Sequence, residues 1–115
     1  MIGAEEQLVE IEARDGVTFA KADKNQLRGS SSQKLFEDLA KLTASILVLD
    51  LSQAVLVDSI GLGVLLKLAK AQKAQQGRFA VCGMNPQVRG TFTQLHLHKV
   101  IPVFQDSEHA RKGLS

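Results

Sequence analysis

The chain has no tryptophan or tyrosine, two prolines and a single cysteine, Cys82, among 115 residues. One cysteine cannot form a disulfide within the chain, nor supply a cysteine-based metal framework, and it fits a reducing compartment. With five phenylalanines as the whole Phe/Trp/Tyr complement, the core must be aliphatic. The net charge of +2 is small. No basic run interleaves with aromatic residues in the way that RNA or single-stranded DNA binding requires. No apolar run approaches the ~20 residues that span a bilayer. The opening Met1-Ile2-Gly3-Ala4-Glu5-Glu6 lacks a basic region followed by an apolar stretch, so no secretory signal is read. These absences predict a cytoplasmic protein without direct nucleic-acid binding or membrane insertion.

What remains is the composition of an ordinary globular domain, 44% apolar and 23% charged. The length suits one domain over residues 1–115. Alternation over Leu8 to Ala13, with Val9, Ile11 and Ala13 on one face, predicts a half-buried strand. Asp15-Gly16 marks a tight hairpin turn, and Val17 to Ala22 a second, antiparallel strand. A polar stretch from Asp23 to Ser32 follows. Ser30 with Gln33 fits a capping box for a helix to about Leu42, with Leu35, Phe36, Leu39 and Leu42 inward. Ile46 to Leu51 is apolar almost throughout, as a strand buried on both faces is.

After the helix that ends near Gln76-Gly77, Phe79 to Gly83 is another short apolar strand. Asn85-Pro86 then starts a helix that turns Val88, Phe92 and Leu95 inward and runs to about His96. Val100 to Phe104 is a final strand, its Pro102 fitting a sheet edge. A short helix capped by Asp106 or Ser107 closes the chain. This order predicts an α/β domain with about four helices. Its sheet is mixed, mainly parallel after the N-terminal hairpin.

The chain is organised around Val55-Leu56-Val57-Asp58-Ser59-Ile60-Gly61-Leu62-Gly63-Val64-Leu65-Leu66. Asp58 and Ser59 stand where the chain leaves the apolar strand and opens a helix over about residues 60–75. The first N–H groups of that helix lack internal partners, and its dipole is positive there, so the place favours an anion. From spacing alone, Ser59 reads as a helix cap ahead of a phosphate acceptor. At ~100° per residue, Leu62, Leu65, Leu66 and Ala69 are expected to face the sheet. Ile60, Val64, Lys67 and Ala71 then fall roughly opposite, which makes Ile60 and Val64 exposed apolar neighbours of Ser59.

The run Asp58-Ser59-Ile60-Gly61-Leu62-Gly63-Val64-Leu65-Leu66 resembles the signature of the STAS domain family, which includes bacterial anti-sigma factor antagonists. The resemblance extends in register through Leu49-Asp50-Leu51-Ser52, Gly77-Arg78-Phe79, Asn85-Pro86-Gln87-Val88-Arg89, the run from His98 to Phe104 and Asp106-Ser107-Glu108-His109-Ala110. It implies a single STAS-like domain that acts in partner switching. The unphosphorylated antagonist would bind an anti-sigma factor that is also a serine kinase, freeing a sigma factor. Phosphorylation of Ser59 would end that binding, and a PP2C-type phosphatase would reset the cycle. Asp58, Ile60, Gly61, Val64 and Lys67 would form the partner-binding surface.

Two places depart from the family pattern. Ile60 stands where many members have a second small hydroxyl residue. The stretch from Ala22 to Ser30 lacks the usual Gly-acid-Leu-Asp run. STAS domains also occur in transporter-associated and signalling assemblies, so an accessory or scaffold subunit is the second reading.

Other chemistries fit the residues poorly. A nucleophile elbow needs glycine two positions before the serine, where this chain has Val57. Gly61 and Gly63 are followed by no Gly-Lys-Ser or Gly-Lys-Thr, so a P-loop is excluded, and close packing at the helix start is their expected role. His96 and His98 lack a second ligand pair, so no metal site and no cofactor is predicted. No catalytic residue is assigned, and the chain is read as a binding module rather than an enzyme.

Overall fold

A computed structural model describes residues 10–23 and 27–114. The expected strand start at Leu8 and Val9, and Lys24, Asn25 and Gln26 of the atypical stretch, lie outside the described residues. The chain forms β1 (Glu10–Arg14), β2 (Val17–Lys21), α1 (Ser30–Ala40), β3 (Ile46–Asp50), α2 (Ser59–Ala74), β4 (Arg78–Cys82), α3 (Pro86–Gln94), a 3-10 turn (Leu97–Lys99), β5 (Val103–Phe104) and α4 (Ser107–Leu114). The strands stand side by side in sequence order in one five-stranded sheet. β1 and β2 are antiparallel, and every later pairing is parallel. The predicted α/β class, mixed sheet and four helices are all present.

The hairpin forms because Asp15 and Gly16 both accept positive φ, 53° and 80°, as a two-residue turn matched to the strand twist requires. β3 lies in the middle of the sheet, and its alternation serves two cores. Leu47 and Leu49 join Ala20, Phe79 and Val81 beneath Leu35 and Leu39 of α1, Val64, Leu65 and Leu68 of α2, and Val88 and Phe92 of α3. Val48 points the other way and joins Val17, Phe19, Ala80 and Cys82 beneath Ala110 and Leu114 of α4. Three helices therefore cover one face and one helix the other. Burial raises the Cys82 thiol to about 12, with nearby Asp50 adding to the effect, so it is a core residue and no nucleophile at neutral pH.

Several expectations fail at the edges of the fold. Ile11 and Ala13 are exposed, not half-buried, because β1 pairs with β2 at the sheet edge and joins neither core cluster. The Ser30–Gln33 capping box does not form: Gly29 is the N-cap of α1, and no side chain of α1 caps it. Leu95 is exposed because α3 stops at Gln94, and His96 (φ 61°) turns the chain away through a left-handed conformation. β5 has two residues, and Val100 is exposed before it. Pro102 still borders the sheet, its carbonyl accepting from the Val81 N–H at 3.0 Å. α2 ends two residues before Gln76, and Gln76, not the following glycine, takes the left-handed conformation there (φ 63°).

Candidate functional site

The central segment from β3 to α2 begins with Leu51, fully buried, and continues as an irregular loop to Asp58. Asn85 fixes part of that loop. Its side-chain amide donates to the carbonyls of Ala54 and Val55, at 3.3 and 3.2 Å. Val55, Leu56 and Ile60 are then left exposed, at 63, 40 and 53% of their surface. Singly such residues mean little, but grouped beside one helix start they make an apolar patch. Val55 and Leu56 were not among the predicted site residues. The signal was present in the sequence: after the polar Ser52-Gln53, a second short apolar run, Ala54 to Val57, precedes Asp58.

Asp58, not Ser59, caps α2. One Asp58 carboxylate oxygen accepts from the Gly61 N–H at 2.8 Å. The other accepts from the Gly29 N–H, also at 2.8 Å. One side chain thus satisfies backbone donors at the starts of two helices, α2 and α1. The Asp58 N–H donates in turn to the Leu27 carbonyl at 3.2 Å. These donors hold the carboxyl below the usual carboxylate range: Gly61 first, then Gly29, with smaller help from the Ile60 N–H and the Arg28 charge.

The glycines follow from this geometry. Gly29 sits at φ 55°, ψ −141°, a conformation open to glycine and few other residues. A Cβ on Gly61 would lie 2.2 Å from the Leu27 carbonyl oxygen, so α2 meets the Leu27 backbone only because residue 61 is glycine. A Cβ on Gly63 would meet nothing within 4 Å, so the expected packing role belongs to Gly61 alone. Gly61 is itself buried and offers no side chain to a partner.

Ser59 is the first residue of α2 and is exposed, with the cap already made by its neighbour. Its hydroxyl makes no hydrogen bond among the described residues. Beside it an open basin of about 590 Å³ is lined by Arg28, Gly29, Ser30, Ser31 and Asp58. Ile60 is exposed as predicted. Val64 is not: it is 2% exposed and packs in the core, so it is removed from the partner surface. The inward stripe is Gly61, Val64, Leu65, Leu68 and Gln72, whereas Leu62, Leu66 and Ala69 flank it, half-buried. The apolar run from Ile60 to Leu68 covers so much of the helix circumference that spacing alone did not select the inner face. Lys67 is exposed, but its ammonium lies 5.7 Å from the centre of the Phe36 ring, on the seam with α1.

The histidines lie apart from Ser59 in their bonding. His96 and His98 have ring centres 6.2 Å apart, and His109 pairs with Asp106. Among the described residues no three His, Cys, Asp or Glu side chains group as a metal site would need. Among the same residues no helix is long and apolar enough to cross a membrane.

Compared with known proteins, the chain matches the family described as "STAS domain" over residues 9–110. It is 34% identical over 64 residues to an anti-sigma F factor antagonist of Paenibacillus polymyxa, 56% of this chain and 55% of that one. The match therefore spans about half the length of that relative. An anti-sigma-factor antagonist (STAS) domain protein from Planctomyces limnophilus has a similar structure, with TM-score 0.77 at 18% identity, covering 91% of this chain and 96% of that chain. A sulfate transporter family protein from Wolinella succinogenes also does, with TM-score 0.75 at 11% identity, covering 89% and 87%. At such identities the structural likeness bears on the fold.

Proposed function

The chain belongs to the STAS domain family, and we propose that within it this protein is an anti-sigma factor antagonist whose partner binding is switched by phosphorylation of Ser59. The observation that carries the reading is the division of labour at the start of α2. Asp58 makes the cap and Ser59 is exposed, so the serine hydroxyl is not needed to hold the fold. The likeness to the Paenibacillus polymyxa antagonist supports the same reading.

In this mechanism the unmodified protein binds an anti-sigma factor that is also a serine kinase, and so releases a sigma factor. Val55, Leu56 and Ile60 supply the apolar contact, with Asp58 and Ser59 at its border. The kinase transfers the γ-phosphoryl group of ATP to Ser59 Oγ, ADP leaves, and a base on the kinase takes the hydroxyl proton. The phosphate adds about −1.5 to −2 charges at neutral pH. The positive end of the helix dipole accommodates that charge within the domain. A partner that covers the corner must bury it, which is strongly unfavourable. Phosphorylation therefore spoils the interface and leaves the domain unchanged. A PP2C-type phosphatase restores the binding form. The protein itself works as a binding module, not as an enzyme.

The test uses the serine kinase that co-purifies with the protein. Ser59→Ala is expected to bind it as the unmodified protein does and to take no phosphate from labelled ATP. Ser59→Asp is expected to bind weakly. Equal labelling of Ser59→Ala and wild type, or full-strength binding of Ser59→Asp, would reject the switch and move an accessory role in a larger assembly to first place.

A further inference from the structure

The charge along this chain is not evenly spread. From Ser59 to Gln105 there is no aspartate or glutamate, while Lys67, Lys70, Lys73, Arg78, Arg89 and Lys99 are all basic. A cleft of about 280 Å³ opens within this acid-free part, lined by Leu66, Ala69, Lys70, Lys73 and Val100. At ~100° per residue, Leu66, Ala69 and Lys73 lie on the flank of α2 away from Lys67, the residue that meets α1. The acids of α1, Glu37 and Asp38, belong to the helix that Lys67 meets, and neither lines the cleft. Val100 is 61% exposed on the other wall, next to the basic Lys99.

The shape and chemistry of the cleft restrict its occupant. One wall is helical and the other follows a 3-10 turn, so neither offers a strand edge to pair with. An occupant must engage it through side chains, as an amphipathic helix does in a groove. No aromatic residue lines the cleft, so it lacks the stacking platform of a single-strand binder. Its apolar lining, Leu66, Ala69 and Val100, is aliphatic and lies between two elements. Two lysines at the rim select against basic partners and favour acidic ones.

We propose that the cleft between α2 and the turn leading to Val100 binds an acidic amphipathic helix of a partner protein. This site is separate from the Ser59 corner: Leu66 and Lys73 lie seven and fourteen residues along α2 from Ser59, roughly 10 and 21 Å at 1.5 Å per residue. The proposal does not depend on phosphorylation of Ser59.

The experiment titrates the ¹⁵N-labelled full chain with three probes. The first is a designed amphipathic helix with leucines on one face and glutamates on its flanks. The second is the same peptide with lysines replacing the glutamates, and the third is vesicles of phosphatidylglycerol. The acidic peptide is expected to shift the amide signals of Leu66, Ala69 and Val100 and to leave Ser59 unmoved. Its affinity is expected to fall about tenfold or more with added salt or in the Lys70→Glu, Lys73→Glu double variant. That variant changes only exposed side chains, and its amide dispersion shows directly that it folds. Shifts confined to other residues, equal affinity for the acidic and basic peptides, or tighter binding to vesicles than to peptide would each overturn the proposal.

Discussion

α2 and α3 begin alike, each with an Asx residue whose side-chain oxygen accepts from the backbone N–H three positions on. Asp58 takes the Gly61 N–H at 2.8 Å, and Asn85 takes the Val88 N–H at 2.7 Å. They differ in what the rest of the side chain does. Asp58 is acceptor-only, and its second oxygen takes the Gly29 N–H. Asn85 carries an amide, and its NH₂ group donates to the carbonyls of Ala54 and Val55. The two caps thus fix the segments on either side of the Ser59 corner, each with the functional group its outer partner demands. α3 then continues with Pro86, which accepts no phosphate, whereas α2 continues with an exposed serine.

The largest effect separating these two helix starts should come from Gly61. Gly61→Ala drives a methyl group into the Leu27 carbonyl, backbone against backbone, where neither side chain can rotate away. Overpacking of that kind costs about 1–3 kcal/mol and sometimes more, and we expect the upper end in urea denaturation. Gly63→Ala, two residues on, meets open space, and higher helix propensity should stabilise the domain by about 0.5–1 kcal/mol. Equal effects at the two glycines would mean that the approach to Leu27 is not tight.

Exchanging the two cap chemistries comes next. Asp58→Asn keeps an acceptor for Gly61 or Gly29 but turns an NH₂ group toward the other N–H, and its melting temperature should fall by roughly 5 °C. Asn85→Asp sets a carboxylate against the Ala54 and Val55 carbonyls and should cost about 1–2 kcal/mol. Each variant retains a side chain able to cap, so helix loss alone would not account for the result. If both substitutions were silent in thermal melts, the outer hydrogen bonds would contribute nothing to holding the corner.

The contrast between the caps also has a pH signature. The Gly61 and Gly29 N–H groups lower the Asp58 pKa in the folded protein. As pH falls through about 4, the unfolded chain takes up the proton first, so stability decreases. The Asp58 contribution is therefore present above about pH 4 and is lost as pH falls through the lowered folded value. Asp106, lowered by the His109 N–H and side chain, and Glu108, lowered by Arg111, act in the same direction at the start of α4. The difference in stability between wild type and Asp58→Asn should be constant from pH 5 to 7 and should narrow below about pH 4. The Asn85→Asp penalty should also narrow at low pH, but for the opposite reason: there the variant gains as its new carboxylate is protonated, whereas at residue 58 the wild type loses.

These two junctions also show what the sequence could and could not reveal. Asn85-Pro86 and Asp58-Ser59 were both legible as helix starts, because capping is a local property of three or four residues. The sheet was legible for a similar reason: β3 alternates between two buried faces, and the apolar run from Ile46 to Leu49 says so. The facing of α2 was not. Val64 was placed outward and is buried, because the run from Ile60 to Leu68 offers more apolar side chains than one face can hold. Which of them turn inward is set by the approach of Gly61 to Leu27, a contact across 34 positions of sequence. The dual role of Asp58 was hidden likewise, since its second donor, Gly29, comes from a stretch that read as a capping box built on Ser30. Local grammar gave the elements, and long-range backbone contacts decided their rotation.

The smallest expected effect on the fold is that of a charge at residue 59. Ser59 is exposed at the first position of α2 and lends nothing to the cap. A carboxylate there gains from the helix dipole by about 0.3–1 kcal/mol. It loses a similar amount, up to about 1 kcal/mol in exposed surroundings, to Coulomb repulsion from the adjacent Asp58 carboxylate, which is itself ionised at neutral pH. The two effects nearly cancel, so Ser59→Asp should remain within about 0.5 kcal/mol of wild type in chemical denaturation. Raising the salt concentration screens both interactions and should leave that difference small. Asp58→Asn removes the repulsion, so Ser59→Asp made in that background should become stabilising relative to Asp58→Asn alone. A double-mutant cycle over residues 58 and 59 measures this coupling directly. If Ser59→Asp alone lowered stability as much as Gly61→Ala does, charge at this position would be acting on the domain itself. The switch would then work by unfolding the corner, not by spoiling the surface that a partner covers.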